Sequence, residues 1–400
     1  KDNKNINYLK LRVGYSTSAN FPSPYSTRSS LFVATRSFVT YTGTPVNVNA
    51  VPAQLANPDL KPELLNEAEA GIEGKFWNNR INLDLTFYNR RADNQILDRL
   101  LDPASGHTDQ QINAGSVTNK GIEMQLGVTV INTSNWKWTV TGIWTLNRSK
   151  VSGIPADLKQ VNISGYSNEG TFAVNGQPLG VIISNYFVKD TIKGSPGFGK
   201  RIVGTDGNYI NSNDIGIIGD PNPLYKLTGI SALSYKSFVF NMQWDYTCGG
   251  DMYSGTAGAL LGRGVTKDTQ FDRSAPYILP GVDANGNPNK IQISATQAYY
   301  GNSITNGAAD EGAVFDASCI RLREASLYYT LPPKMLSKTF LGSVSIGVSG
   351  TNLWYYAPNF PKYVHFDPEA DGLGVGNGRG MEFLTGPSAR RYGASIRVSF

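Results

Sequence analysis

The sequence predicts an all-β protein, a transmembrane antiparallel β-barrel, and three observations favour this class. Apolar side chains recur at every second position in about ten segments of the 400 residues, which is the pattern of strands with two unlike faces. The connections between these segments alternate strictly between short and long. No apolar run approaches the roughly 18 residues of a transmembrane helix. Short turns at one end and long loops at the other are typical of outer-membrane barrels.

The first five predicted strands alternate clearly. The strand at 9–15 sets Leu9 and Leu11 against Lys10 and Arg12. The same alternation recurs at 67–76, 81–88, 122–130 and 136–146. Because successive side chains of a strand point to opposite faces, each segment has one apolar and one polar face.

The second five strands are less uniform. The segment 224–233 alternates weakly, whereas 238–246, 344–348 and 392–400 alternate clearly. Between them, 321–331 changes parity: Leu327 shares a face with Arg321 and Arg323, which predicts a bulge or a strand that leaves the membrane. The last strand ends on Phe400, and an aromatic residue at this place looks like the insertion signal that the barrel-assembly machinery binds.

The connections distinguish between the β classes. The short ones are predicted at 77–80, 132–135, 234–237 and 332–343, and the long ones at 19–65, 97–116, 152–223, 247–319 and 354–388. A soluble β-sandwich has no reason to place every long loop at one end, whereas outer-membrane barrels have short periplasmic turns and long extracellular loops. Aromatic residues at both strand ends, such as Phe238 and Tyr246, agree with two girdles in contact with outer-membrane lipid.

Composition and charge exclude several classes of function. The chain has 36 lysines and arginines and 31 aspartates and glutamates, so its net charge is 36 − 31 = +5. The charges are scattered along the sequence, which argues against a nucleic-acid partner. Two cysteines and two histidines without ligand spacing predict no zinc or iron–sulfur site and therefore no metalloenzyme chemistry. We also expect no other metal site, no cofactor and no enzyme activity. The first residues, KDNKNINYLK, are neither a signal peptide nor a Met start, so we expect the chain to be part of a longer one.

The polar positions of the strands would line the lumen of such a barrel. Trp354, Tyr355 and Tyr356 stand where a strand enters its long loop, and they could stack on sugar rings, contact a partner or serve as girdle residues. Carboxylates such as Glu67 and Glu69 fall on the wet face, where solvated charge is a simpler interpretation than a glycosidase pair. The candidate lumen-facing residues are Lys10, Arg12, Glu123, Lys137, Asp245 and Arg397.

Cys248 and Cys319 are predicted to form a disulfide. Cys248 follows the strand that ends at Tyr246, and Cys319 opens the next strand, so both stand at the feet of one extracellular loop. Adjacent antiparallel strands bring such feet within about 4.5–5.5 Å at Cα, inside the range of a disulfide, and the compartment is oxidising. The alternative is a pair of unpaired small residues.

Five stretches are more specific than the alternation and carry a family resemblance. They are NPDLKPELLNEAEAGIEGKFWNNRINLDLTFYNRRADNQIL (57–97), NAGSVTNKGIEMQL (113–126), GDPNPLYKLTG (219–229), CIRLREASLYYTLP (319–332) and VSGTNLW (348–354). Together, and in this order over nearly the whole chain, they resemble the C-terminal barrel part of SusC/RagA-type TonB-dependent transporters.

The resemblance implies a fold, partners and a function. Such transporters carry an N-terminal plug and a roughly 22-stranded barrel, of which this chain would supply about the last ten strands. The implied partners are a SusD-like surface lipoprotein and TonB, the latter through a part outside this chain, and a dimer of transporter–lipoprotein pairs is one assembly to expect. The implied function is TonB-dependent import of a glycan or a peptide. The alternatives are a passive porin or adhesin barrel and, less favoured, a soluble sugar-binding β-sandwich.

Overall fold

The computed structural model describes residues 5–33, 38–300, 309–372 and 378–400, and its main element is one large antiparallel sheet. Ten strands pair in the order in which they follow along the chain, with the first and last strands at the edges. They are β1 (Ile6–Asn20), β2 (Glu63–Phe76), β3 (Ile81–Asp93), β4 (Ser116–Asn132), β5 (Trp136–Ser152), β6 (Tyr225–Tyr235), β7 (Phe238–Cys248), β8 (Cys319–Thr330), β9 (Ser343–Tyr356) and β10 (Arg391–Ser399). The ten strands expected from the alternation are all present.

The sheet has one apolar and one polar face, because directly opposite residues of an antiparallel pair lie on the same face. One row across β1 to β5 passes through Leu11, Ile72, Leu85, Met124 and Trp144. The row one position along passes through Arg12, Gly71, Thr86, Glu123 and Thr145. We call these surfaces the apolar face and the polar face. One is compatible with lipid and the other with water.

Some strands extend beyond their alternating stretch. β4 begins at Ser116, well before its alternation begins at Ile122, and β5 continues to Ser152. These extensions are largely polar and pair with each other, with Ser116 opposite Ser152. A strand that projects beyond the membrane needs no apolar face, so alternation in the sequence marks only the membrane-spanning part.

The connections form two classes at the two ends of the sheet. The short ones cover 77–80, 133–135, 236–237 and 331–342. The first of them holds Trp77, Asn78 and Asn79 in the left-handed region, with φ values of 50°, 56° and 61°. The long ones are named L1 (21–62), L2 (94–115), L3 (153–224), L4 (249–318) and L5 (357–390). Because consecutive strands are antiparallel, all long connections leave the sheet at the same end.

β8 contains a β-bulge at Arg323. The register against β7 shifts between Gln243 and Trp244, and the register against β9 shifts at the same level. Arg323 is the extra residue at this level of β8. This confirms that the parity change in the sequence is a bulge. The bulge lets both Arg321 and Arg323 reach acidic partners, although the rest of the strand alternates in the other phase.

The predicted disulfide between Cys248 and Cys319 is wrong, because both thiols are free. β7 and β8 are neighbours as expected, but their register places Thr247 opposite Cys319. An offset of one residue turns the two cysteine side chains to opposite faces of the sheet. Cys248 lies opposite Tyr225 on the apolar side, whereas Cys319 is buried on the polar side.

The long connections contain small sheets and helices of their own. L1 and L2 share a sheet of Gln54–Leu55, Asp109–Asn113 and Ile96–Leu100. L3 forms a four-stranded sheet of Val161–Gly165, Gly170–Ala173, Val181–Phe187 and Asn211–Gly219. A third sheet joins L4 to L5 through Val314–Asp316, Asp251–Ser254 and Met381–Glu382. The shorter pairs are Phe32–Val33 with Asn49–Ala50, Phe38–Val39 with Pro45–Val46, and Pro276–Tyr277 with Ile293–Ser294.

The helices of the described residues are short. They are Gly255–Gly262, Ala295–Tyr300 and Pro333–Leu336, with 3-10 turns at Pro103–Ser105, Lys267–Thr269 and Asp310–Ala313. No helix in the described ranges is long and apolar enough to cross a membrane.

The buried core lies mainly in L3, L4 and L5. A single sheet with one lipid face and one wet face has no interior of its own, so the long connections must pack against each other. One core cluster from L3 and L4 contains Phe187, Val203, Tyr209, Leu279 and Ile293. Another brings together Ile182 of L3, Tyr253 of L4 and Met381 of L5. The loops at this end are therefore folded structures rather than open linkers.

Candidate functional site

Arg12 crosses a whole strand on the polar face. It lies on β1 and donates to Asp84 of β3 at 2.6 Å and 3.2 Å, and it also contacts Thr86. Its guanidinium passes over Gly71 of β2, where a Cβ would lie 2.7 Å from Arg12 Nε. A side chain at position 71 would therefore displace the guanidinium from this path, which glycine leaves open.

Tyr88 repeats the arrangement on the next strands. Its ring passes from β3 over Gly121 of β4, and its hydroxyl donates to Asn147 Oδ1 of β5 at 3.1 Å. A Cβ at Gly121 would lie 2.3 Å from the Tyr88 hydroxyl oxygen. Asn147 in turn donates to Asn119 at 3.0 Å. These bonds hold the side chains of the polar face in fixed positions around an open space.

A polar groove lies between this part of the polar face and the ends of L3 and L5. Its main cavity has a volume of about 660 Å³, within the usual range of ligand sites. Two adjoining cavities of about 280 Å³ and 380 Å³ extend it towards β6 and L5, and Arg379 lines all three. The side chains that line the main cavity include Glu67, Glu69, Tyr88, Arg90, Glu123 and Asn222.

L3 covers the groove with the rigid turn at Pro221 and Asn222. The Asn222 amide donates to the Leu179 carbonyl at 2.9 Å and to Asp220 Oδ1 at 2.7 Å. The Asp220 N–H donates to Asp251 Oδ2 of L4 at 2.9 Å. The GDPNP stretch of the sequence is therefore a fixed cover over the groove.

The groove holds charges of both signs, and only some of them are paired. Arg90 donates to Glu67 through two bonds of 3.0 Å and 3.1 Å. Within the described residues, Glu69, Glu123 and Arg379 form no ion pair or hydrogen bond. Carboxylates and a guanidinium in this state can bind the cationic and anionic groups of a polar ligand.

Beyond the groove, five charged side chains fasten L5 to the sheet, and we call them the L5 ion network. Arg321 of β8 forms a two-bond pair with Asp367 of L5, and these side chains are only 2% and 4% exposed. Arg323 binds Asp245 of β7 at 2.6 Å and Glu369 of L5 at 2.6 Å. The bulge in β8 makes both arginines available to the network. L5 is therefore held against the polar face by one buried ion pair, Arg321–Asp367, and by the partly exposed pairs of Arg323.

Two buried carboxylates of L5 stay ionised because hydrogen bonds outweigh burial. Burial alone would raise the pKa of Asp367, but the bonds from Arg321 and Ser388 lower it below the ordinary value. Burial alone would also raise the pKa of Glu382, but the hydrogen bonds from Thr256 lower it below the ordinary value. Both groups are therefore charged at neutral pH and remain acceptors for their partners.

Glu382 joins L5 to L4. Its side chain is buried, and Oε2 accepts from the Thr256 N–H at 2.9 Å and from the Ser254 hydroxyl at 2.9 Å. These two residues lie at the start of the helix Gly255–Gly262, so the carboxylate caps that helix from a different loop. A negative charge is favourable at this end of a helix.

Two acidic residues of L4 join it to L3. Glu311 accepts from the Phe187 N–H at 2.9 Å and pairs with Lys189 at 2.9 Å. The neighbouring Asp310 contacts the Ser184 hydroxyl, and burial raises its pKa above the ordinary value. L3, L4 and L5 are thus one connected structure next to the groove, which we call the loop unit.

The six residues expected to face the lumen all lie on the polar face, but they divide into three groups. Lys10, Arg12 and Glu123 lie in or beside the groove, and Lys10 pairs with Glu73 at 3.8 Å. Asp245 belongs to the L5 ion network. Lys137 and Arg397 lie near the short connections, opposite Ser234 and Ser345 respectively, and away from the groove.

The aromatic run at 354–356 lies inside β9 rather than in a loop, which corrects the expectation of a loop position. Trp354 and Tyr356 lie on the apolar face. The ring centroid of Trp354 is 5.9 Å from that of Trp244 and 6.4 Å from that of Tyr356. This is the arrangement of an interfacial girdle. Tyr355 points to the other face, and the Arg321 guanidinium lies 5.2 Å from its ring centroid.

A second aromatic set lies at the short-connection end. Phe238 and Tyr329 pack with ring centroids 4.5 Å apart. Phe400 follows β10 and stacks on Phe340, with centroids 5.8 Å apart and planes within 4°. Aromatic residues therefore occupy both ends of the strands, as the sequence predicted.

Sequence reasoning missed Arg379, Asn222 and Glu382. Each lies in a long connection, where no alternation indicates which way a side chain points. The GDPNP motif was the only available signal, and it marks a turn without showing what the turn covers. In the described part of the chain, no group of three or more His, Cys, Asp or Glu side chains is placed to hold a metal ion.

A family model matches most of the chain. The model is described as "TonB dependent receptor-like, beta-barrel", and it matches residues 4–353. The matched range contains β1 to β8 entirely, including the bulge and the strand side chains that line the groove.

Two relatives from Formosa agariphila are similar over the whole chain. TonB-dependent receptor P3 is 26% identical over 432 residues, which cover 100% of this chain and 40% of the relative. TonB-dependent receptor P26 is 25% identical over 416 residues, which cover 98% of this chain and 40% of the relative. The chain therefore spans about 40% of the length of the curated relatives that it matches.

Solved structures of a RagAB transporter have the same fold. The structure of the RagAB peptide transporter superposes with a TM-score of 0.67 at 20% identity. The matched part covers 98% of this chain and 41% of the RagAB chain. The RagAB peptide importer in the closed-closed state gives 0.70 at 20% identity, with coverage of 100% and 42%. At this level of identity the likeness concerns the fold.

Proposed function

The chain belongs to the TonB-dependent receptor β-barrel family of the outer membrane, and from this premise we propose that it forms part of the wall of an active importer. The family consists of receptors and transporters rather than enzymes. The proposed cargo is a polar oligomer, a glycan or a peptide, that passes along the polar face. The proposed partners are a SusD-like surface lipoprotein and TonB, which would engage a part of the full-length protein outside this chain.

The observation that carries this proposal is the polar groove. Its walls present Glu69, Glu123 and Arg379, which have no ion-pair partner among the described residues, and its cover is fixed by hydrogen bonds at Asn222. A polar ligand loses water on entry and needs such groups as replacements, since an unsatisfied buried polar group costs about 1–3 kcal/mol. A groove with both signs of charge suits a ligand with many polar groups better than an apolar one.

The loop unit supports the proposed partnership with a surface lipoprotein. Outer-membrane barrels have their long loops outside the cell and their short turns in the periplasm, and we orient this chain in the same way. The loop unit then faces the exterior, next to the groove entrance. A lipoprotein seated on it would contact folded loops, which the L5 ion network holds to the wall.

Charge removal in the groove tests the proposal in cells that express the full-length protein. Arg379→Gln and Glu123→Gln each remove a charge that lines the groove, and Lys137→Gln removes a charge on the same face away from the groove. A hydrogen bond to a charged group contributes about 1.5–3 kcal/mol, so the half-saturating concentration of a fluorescent peptide or oligosaccharide pool should rise about tenfold or more. Lys137→Gln should leave it unchanged.

A protonophore separates the active importer from the passive porin. Collapse of the proton-motive force should abolish accumulation of the probe above its external concentration, because TonB is energised from the inner membrane. If the probe still equilibrates across the outer membrane at the same rate after the protonophore is added, the result would support the passive barrel. Uptake that is unchanged in both groove variants would exclude the groove as the route.

A further inference from the structure

A second cavity, separate from the groove, lies between β9, L4 and L5, and we call it the L5 cavity. Its volume is about 310 Å³, which is within the usual range of ligand sites. It shares no lining residue with the three cavities of the groove. Its walls come from the helix Gly255–Gly262, from the end of β9 and from the L5 stretches 364–370 and 385–390.

The part of L5 beside this cavity has a fixed conformation. The Val364 N–H donates to the Pro361 carbonyl at 3.1 Å, and His365 follows in the left-handed region with a φ of 49°. The Tyr355 hydroxyl of β9 donates to the His365 carbonyl. A residue other than glycine keeps this unfavourable conformation only where its surroundings hold it. The sheet therefore holds the backbone that presents His365 to the cavity.

One side of the L5 cavity is apolar. Leu260 of the helix and Val364 and Phe366 of L5 line it. Phe366 is buried and packs on Phe360, with ring centroids 5.7 Å apart. An apolar group that enters the cavity would leave water for these side chains, and such a transfer is favourable.

Three polar side chains of the cavity already have protein partners. Thr256 and Thr385 both donate to Glu382 Oε1, at 2.6 Å and 3.0 Å. Asn352 Oδ1 accepts from Arg323 at 3.2 Å. These groups hold L4 and L5 together, and their bonds to the protein leave them little capacity for a ligand.

The side chains of His365 and Arg390 are different. Both line the cavity and are exposed, and within the described residues neither side chain forms a hydrogen bond or an ion pair. The carboxylate that also lines the cavity, Asp367, is bound by Arg321 and Ser388. The groups that remain for a ligand are therefore a guanidinium and an imidazole, which donate hydrogen bonds to an anion.

Further positive charge lies next to the cavity along L5. Lys362 and Lys267 place their ammonium groups 5.3 Å and 5.9 Å from the ring centroid of Tyr363. Neither lysine has an ion-pair partner in the part of the chain that the structure describes. Asp268 is the acidic neighbour, and it accepts from the Tyr363 N–H at 3.0 Å. Clustered charge of one sign raises the local concentration of ligands of the opposite sign.

We propose that the L5 cavity is a binding site for an organic carboxylate with an apolar body. Arg390 donates two parallel hydrogen bonds to the carboxylate, and His365 donates one from a ring nitrogen. The apolar body packs against Leu260, Val364 and Phe366. This inference concerns binding alone, so it stands or fails separately from the import proposal.

The first experiment compares three probes on the wild-type protein. Isothermal titration calorimetry uses the full-length protein in lipid nanodiscs, with empty nanodiscs as the blank. N-acetyl-leucine, which combines a carboxylate with a branched aliphatic body, should bind. N-acetyl-leucinamide has the same body without the charge and should bind about tenfold more weakly or worse. Galacturonate has the charge without an apolar body and should also bind about tenfold more weakly or worse.

The second experiment changes the two basic residues. Arg390→Gln should lower the affinity for N-acetyl-leucine about tenfold or more, because a hydrogen bond to a charged group is lost. His365→Asn should lower it about threefold or more, and asparagine tolerates the left-handed backbone. The matched control is Arg391→Gln, which changes the next arginine in the chain, outside the cavity lining. It should keep the wild-type affinity.

Two results would overturn the proposal. One is binding of the amide as tight as that of the acid, since the basic side would then have no role. The other is wild-type affinity in Arg390→Gln, above all if Arg379→Gln loses it, because the acid would then bind in the groove. Equal binding of galacturonate and N-acetyl-leucine would overturn the apolar part of the assignment. The comparison of probes requires no variant, so a folding defect does not affect it.

Discussion

Replacement of Asp367 by asparagine should loosen L5 from the polar face. The Arg321 side chain is only 2% exposed, so its guanidinium would remain buried after its partner has lost its charge. Removing one partner of a buried ion pair costs about 3–5 kcal/mol. Glu369 Oε2 lies 3.3 Å from Arg321 Nε and offsets part of this cost. We therefore expect a loss at the lower end, about 3 kcal/mol.

Hydrogen–deuterium exchange in the full-length protein measures this loss locally. The Gly372 amide donates to the Met381 carbonyl at 2.9 Å and reports the opening of L5. Since each 1.4 kcal/mol is a factor of ten, its exchange should accelerate about a hundredfold in Asp367→Asn. The control Asp157→Asn removes the exposed pair with Arg99, whose side chains are 42% and 54% exposed, and should change local exchange less than about fivefold.

A double variant separates the contribution of charge from that of contact. Arg321→Met combined with Asp367→Leu replaces the pair with apolar side chains, which is often neutral or stabilising in a buried place. Exchange at Gly372 should return close to the wild-type rate. The reasoning is refuted if Asp367→Asn exchanges as slowly as the wild type, or if the double variant exchanges as fast as the single one.

Three further predictions concern the faces, the assembly and the loop unit. Leu126→Arg on the apolar face should lower the free energy of unfolding in vesicles by about 2–4 kcal/mol, whereas Gln125→Arg on the polar face should be tolerated; equal losses would contradict the assigned faces. Deletion of Phe400 should reduce the assembled barrel in the outer membrane at unchanged synthesis, measured by heat-modifiable gel mobility, and normal assembly would exclude the insertion signal. Burial raises the folded-state pKa of Asp310, so its stabilisation of the L3–L4 contact is present below the ordinary value of 3.8 and is lost as the pH rises through the raised pKa. After correction for intrinsic rates, hydrogen–deuterium exchange of the amides in Val181–Phe187 should therefore become faster from acid to neutral pH in the wild type. The exchange rate should not change in this way in Asp310→Asn. An equal change in the variant would show that another group causes the effect.

The membrane-spanning part of this fold is predictable because one constraint acts on every strand. Lipid on one side and water on the other impose a period of two, and even the bulge at Arg323 is visible as a change of parity. The error at Cys248 and Cys319 shows the limit of this reasoning. Alternation locates a strand without fixing its register to one residue, and one residue decides the face of a side chain.

The loop unit could not be predicted in the same way, because its bonds join residues that are far apart in the chain. Glu382 caps a helix through Thr256, which is 126 residues away, and no local pattern announces such a partner. Arg379 is likewise an ordinary arginine in a glycine-rich stretch until the groove is seen around it. The chemistry of the site therefore lies where periodic patterning ends.

The two glycine crossings make the inner wall a braced frame. A strand that is bonded only to its two neighbours can slip by two residues and keep the same side chains on each face. Arg12 and Tyr88 each bind a residue two strands away, across the strand between. A slip of the middle strand would therefore strain these two contacts. Both braces lie beside or within the groove, so the side chains that shape the groove also resist shear of the sheet. A family member that changes its cargo by substitution at Arg12 or Tyr88 would weaken the frame. Substitutions at Arg379 in L5 would alter selectivity without this mechanical cost, so evolution of the cargo should proceed through the loops first.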